Sequence, residues 1–169
     1  MSGQDNNLRE QLEQALEGRV CFMGVGDADR GDDAFGVRLA QSLLEAGVPD
    51  VIVAGSSPER RIGIAADMEF DHVVFLDAVA LGGEAEPGSA VFLNSEQMAV
   101  RCPQVSTHKI PLGLLAKVIE SNGVTKAWLL GVQPESMKQG QGLSSAVRKT
   151  LGVILELLFR LKTREESLC

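Results

Sequence analysis

The 169-residue chain has no tyrosine, one tryptophan and two histidines, and aromatic residues make up only 4% of it. That scarcity excludes a base-stacking platform for single-stranded nucleic acid. Basic residues are in deficit as well: 16 Lys and Arg stand against 23 Asp and Glu, a formal net charge of -7. Phosphate backbones require a basic face, so no nucleic-acid partner is expected, and no anionic membrane surface either. The three cysteines, Cys21, Cys102 and Cys169, stand far apart without a C-x-x-C pair, which excludes a disulfide framework and a zinc ribbon. No apolar run approaches the roughly 20 residues of a membrane span. The polar start MSGQDNNLREQLEQ has no signal-peptide core, so a cytoplasmic protein is expected. Walker A, G-x-S-x-G and H-E-x-x-H motifs are all missing, which removes the commonest routes to a nucleotide site, a serine nucleophile and a thermolysin-like zinc site.

What remains is ordinary globular material, 44% hydrophobic and 23% charged, long enough to bury a real core. A single domain is expected over 1–169, with a helical extension over 1–18, a core over 19–162 and a charged, frayed tail over 163–169. Leu8, Leu12 and Leu16 recur every four residues. They predict a thin-striped peripheral helix over 5–17, capped by Asp5 or Asn6. Short apolar runs predict strands over 19–26, 51–54, 72–76, 89–93 and 126–131, with the 89–93 strand at an edge because Pro87 and polar residues flank it. Helices are predicted over 34–46, stopped by Gly47, and over 60–68, 112–121 and 144–162. Residues 94–109 read as irregular and polar.

Strands alternating with helices give parallel β-α-β units in a three-layer α/β sandwich. Ligands in such sheets gather at the carboxyl ends of the strands, which draws attention to the loops 27–33, 55–59, 77–83 and 132–142. The first strand runs into Gly24-Val-Gly26-Asp-Ala-Asp-Arg-Gly31-Asp32-Asp33-Ala-Phe-Gly36. Asp29 stands where a dinucleotide fingerprint has its third glycine, and the surrounding carboxylates repel phosphate. Helix capping accounts for one of Asp32 and Asp33, but not for both neighbouring charges. Asp77 follows an apolar strand directly, at the same carboxyl edge. Of the two histidines, His72 opens a strand and reads as structural or exposed. His108 sits in a polar loop before a helix. Two strand-end carboxylates and one loop imidazole form a plausible N/O metal site, with solvated or capping roles as the alternative for each. Cys21 reads as a small core residue. A pairing of Cys102 with His108 stays open, without an identified orienting partner.

Several segments together resemble one family, the hydrogenase maturation endopeptidases: Gly24-Val-Gly26, Gly31-Asp32-Asp33-Ala-Phe-Gly36, Gly55-Ser-Ser-Pro-Glu59, Phe75-Leu-Asp77-Ala78, Pro87-Gly88, Thr107-His108 with Pro111-Leu112, and Gly131-Val-Gln-Pro-Glu135. They occur in family order across roughly residues 20–160. The resemblance implies an α/β/α sandwich around a mostly parallel five-stranded sheet with one antiparallel strand. It also implies a metal held by Asp33, Asp77 and His108, the three residues that position and chemistry single out. The partner implied is the large-subunit precursor of a nickel-iron hydrogenase. Its C-terminal extension is removed after nickel insertion, and nickel carried by the precursor serves as the recognition mark.

Two departures stand out. The family usually has Asn after the G-x-G pair, where this chain has Asp27, so an amide donor is replaced by charge near the expected site. The helix over 5–17 also extends beyond the usual start. Two other functions fit the same pattern: a non-catalytic nickel-sensing or peptide-binding module on this fold, and a small nucleotide-binding α/β protein.

Overall fold

The computed structural model describes residues 3–102 and 110–167. Its layering follows from strand β1 (Val20–Val25), which is buried at every position. Val20 and Phe22 enter one apolar cluster, while Cys21, Met23 and Val25 enter another on the opposite face. A strand apolar on both faces belongs inside a sheet covered on both sides. β1 accordingly lies between β2 (Val51–Gly55) and β3 (His72–Ala78), with β5 (Lys126–Val132) and β4 (Ala90–Asn94) beyond, in the order β2-β1-β3-β5-β4. Every pairing is parallel except β4 with β5. The expected α/β/α sandwich with one antiparallel edge strand is what forms.

Helices α1 (Gly3–Ala15), α2 (Phe35–Glu45) and α6 (Ser145–Ser167) cover one face, through Leu12, Phe35, Leu39, Leu43, Val147, Ile154 and Leu158. Helices α3 (Ile62–Asp67), α4 (Ser95–Arg101) and α5 (Leu112–Glu120) cover the other, through Ile62, Ala65, Met98, Leu115 and Ile119. The first turn of α2 can lie directly on the sheet because Gly36 has no side chain. A Cβ there would overlap the Leu76 and Val25 carbonyl oxygens, a clash no rotamer relieves.

Four expectations are revised. Residues 95–101 form α4, not irregular chain. Asn94 accepts from the Gln97 amide at 2.8 Å, and the Gln97 side chain accepts from the Asn94 amide at 2.9 Å, a reciprocal cap that starts a short helix. The C-terminal tail is not frayed from residue 163. α6 continues to Ser167, supported by Thr163 Oγ1 donating to the Phe159 carbonyl and by the Lys162–Glu165 pair. α1 begins at Gly3, ahead of the residues expected to cap it. It is not peripheral either: Leu12 is fully buried, and the helix packs against β4. Asp77 lies inside β3, paired in register with Gly131, not beyond the strand's end.

Candidate active site

The site is built where β1 and β3 end. After Val25 the chain turns through Gly26, whose φ of +128° no β-carbon-bearing residue adopts readily. A Cβ there would also strike the Asp33 carbonyl. The chain then loops back as a 3-10 turn, Gly31–Ala34, which packs against β3. This return places the segment carrying Asp33 against the strand carrying Asp77.

Both carboxylates are withdrawn from solvent, Asp33 at 3% exposure and Asp77 at 1%. Asp33 Oδ2 accepts the Asp27 backbone N–H at 3.0 Å. Its Oδ1 is buried and has no hydrogen-bond partner among the described residues. A buried carboxylate oxygen left unsatisfied is costly, and it is the kind of atom a cation would satisfy. Strand alternation puts Asp77 on the face of Val73 and Phe75, beneath α4 and α5. There it lines a small cavity of about 20 Å³ with Met98, Cys102 and Leu112. His108 lies outside the described residues. Among those residues no group of three His, Cys, Asp or Glu side chains is gathered to hold a metal.

Neither Asp32 nor Asp33 caps α2, whose N-terminus has no side-chain cap, so the expected capping role is not filled. Asp32 turns away from α2 and is fully buried. Its Oδ2 accepts from the Glu135 amide at 2.8 Å, the Ser136 amide at 3.2 Å and Ser144 Oγ at 2.9 Å, while its Oδ1 accepts from the Ser144 amide at 2.7 Å. Asp27 keeps its own carboxylate local, with Oδ1 accepting the Asp29 amide at 2.9 Å. The charge expected to disturb the site is thus held within its own turn. Gln133 is a residue sequence reasoning passed over. Its Oε1 accepts the Leu81 amide at 2.7 Å, and its backbone bonds to Ser89 and Gly88, tying the loop after β3 to the end of β5. The signal was its place in Gly131-Val-Gln-Pro-Glu135.

Of the remaining candidates, Cys21 and His72 fall into structural roles, while the Cys102–His108 pairing reaches outside the described residues. Cys21 is fully buried, and burial pushes its thiol up to about 12, which makes it inert. The half-buried Cys102 thiol is also raised, chiefly by burial, with Arg101 opposing and Asp77 adding to the shift. His72 Nδ1 accepts from Trp128 Nε1 at 3.0 Å, a structural histidine as expected.

The chain matches the hydrogenase maturation protease family over residues 36–161. It belongs to that family. It is 28% identical over 145 residues to the hydrogenase 2 maturation protease of Escherichia coli K12, an alignment covering 82% of this chain and 87% of that one. The crystal structure of the NiFe hydrogenase maturation protease HycI from Thermococcus kodakarensis KOD1 superposes with a TM-score of 0.78 at 32% identity, across 90% of this chain and 99% of that one. The hydrogenase maturating endopeptidase HybD of E. coli superposes with a TM-score of 0.69 at 25% identity, covering 83% and 89%. The chain is therefore a hydrogenase maturation endopeptidase, and the rival readings as a non-catalytic module or nucleotide binder give way. Among the described residues, no helix of this protease is long and apolar enough to cross a membrane.

Proposed function

We propose that this protease removes the C-terminal extension of a nickel-iron hydrogenase large-subunit precursor after nickel insertion, in the cytoplasm, with Asp33, Asp77 and His108 taking the nickel that the precursor carries. The observation that carries this reading is the pair of buried carboxylates on adjoining elements, with Asp33 Oδ1 unsatisfied. Carboxylate and imidazole donors suit a divalent first-row cation, so the donor set fits.

The chain's own part in the reaction is positional. The Asp27 amide fixes Asp33 Oδ2 and leaves Oδ1 without a hydrogen-bond partner among the described residues. The strand ladder between Asp77 and Gly131 holds the second carboxylate against rotation of its backbone. Burial of both groups lowers the local dielectric and strengthens their attraction to a cation. Three protein ligands leave positions for groups from the substrate, so a precursor that brings nickel on its own side chains completes the coordination. A cation bound there would supply a Lewis acid. The test is the mass of a nickel-loaded precursor after incubation with the wild-type protein or with Asp33→Asn. Loss of the C-terminal peptide with the wild type alone supports the reading. Equal cleavage by both defeats it.

A further inference from the structure

Every side-chain hydrogen bond that Asp32 accepts comes from one remote stretch, residues 135–144, more than a hundred positions along the chain. The backbones are stitched along the same seam. The Gly31 amide donates to the Gln141 carbonyl at 3.0 Å, the Asp32 amide to the Ser136 carbonyl at 2.9 Å, and the Gly140 amide to the Asp29 carbonyl at 2.7 Å. Gly31 has φ of +54°, and a Cβ there would stand 2.6 Å from the Ser136 carbonyl oxygen, so the two strands of backbone lie in direct contact. The next residue along the same 3-10 turn is Asp33, whose carboxylate accepts one hydrogen bond among the described residues, from the Asp27 amide. The turn is too short to hold its own direction. Its orientation is set by its packing against β3 and by what clamps it, and the clamp is a buried charge satisfied by four donors. Two of those donors, an amide and a hydroxyl, belong to Ser144, the residue preceding α6, so the positive end of that helix also faces the carboxylate.

We infer that Asp32 is a positioning residue: by gripping residues 135–144 it fixes the turn Gly31–Ala34 and so aims the Asp33 carboxylate. Its effect on metal uptake rests on the proposed ligand role of Asp33, whereas its effect on the direction of Asp33 does not. The Asp27 amide, held by Asp33 Oδ2, reports that direction with no metal present. In the wild-type protein, amide hydrogen exchange of Asp27, Ser136 and Ser144 should show one shared opening, with protection within about threefold and equal denaturant dependence. Asp27 outlasting Ser144 by more than about tenfold overturns the inference, because Asp33 is then held without the clamp. Asp32→Asn keeps the shape but loses acceptor capacity. It should speed Asp27 exchange about tenfold or more while β3 amides keep their protection, and weaken Ni2+ uptake, titrated with the metal alone, by about 10–100-fold. Ser144→Ala removes the hydroxyl that donates to Asp32 and accepts the Val147 amide at 3.4 Å, and it leaves the three backbone donors. It should lower the melting temperature while leaving Asp27 exchange and Ni2+ uptake within about twofold of wild type. Identical behaviour of the two variants overturns the inference, since general destabilisation then explains both. If the wild type takes up no Ni2+ that Asp33→Asn lacks, the ligand role of Asp33 fails, and the Asp27 exchange data still decide the positioning role.

Discussion

Gly36 in the first turn of α2 lies against the Leu76 carbonyl, one residue before Asp77, so closely that any Cβ would overlap that oxygen. The contact seats the helix that follows Asp33 on the strand that carries Asp77. Gly36→Ala must therefore push α2 off β3. Overpacking of this kind costs about 1–3 kcal/mol, which at this length lowers the melting temperature by about 2–4 °C per kcal/mol. Differential scanning calorimetry measures the shift. An unchanged melting temperature would show that the helix is not seated as described.

Asp77→Asn preserves shape and removes charge. The variant should melt within a few degrees of wild type, yet process precursor at least about 100-fold more slowly, as expected for a lost ligand charge. Parallel melting curves and single-turnover cleavage decide it. Global unfolding of the variant would instead mark Asp77 as a structural group.

Thiol chemistry separates this protease from a cysteine-nucleophile alternative. With the Cys21 thiol pushed up to about 12 and Cys102 also raised, neither offers much thiolate at neutral pH. Native-state alkylation followed by mass mapping should leave Cys21 unmodified, and Cys102→Ser should cleave precursor at the wild-type rate. Loss of cleavage in Cys102→Ser would instead support the Cys102–His108 pairing.

His72 is held neutral. Burial lowers its pKa, outweighing Asp71, while Lys126 and Lys162 push the same way as burial and a hydrogen bond with the Glu17 backbone opposes. Its Nδ1 accepts from Trp128, which stacks on Phe92 at 4.8 Å. Because the folded pKa lies below the unfolded value of about 6.5, the unfolded chain takes up the proton first. The stability contributed by His72 is thus complete above about pH 6.5 and is lost as pH falls through the folded pKa. Melting temperatures from pH 7.5 to 5 should fall less steeply in His72→Asn, whose amide can still accept from Trp128. Equal slopes would contradict the assignment.

Much of this fold was readable from alternating apolar runs, because strands buried on both faces and helices striped every three or four residues carry their periodicity openly. α4 was not, since Met98 is its one fully buried side chain and a seven-residue helix with one core contact has no period to detect. The Asn94–Gln97 cap was its only local signal. Asp33 and Asp77 stood out as acids at strand ends. The separate role of Asp32 did not, because its partners at 135–144 are brought to it only by the fold. Nothing in a run of two adjacent aspartates tells which one faces a remote loop and which the site.

The central claim is that nickel arrives with the substrate. The proposed set of two carboxylates and one imidazole, without a cysteine, would hold a divalent first-row cation only moderately, so the resting protease should be largely metal-free. The direct measurement is to strip the protease of metal, mix it with precursor prepared with or without nickel, and follow release of the C-terminal peptide by mass spectrometry. Cleavage of the nickel-loaded precursor alone is the predicted result. Efficient cleavage of nickel-free precursor would contradict recognition through nickel, even though the protein would remain a protease.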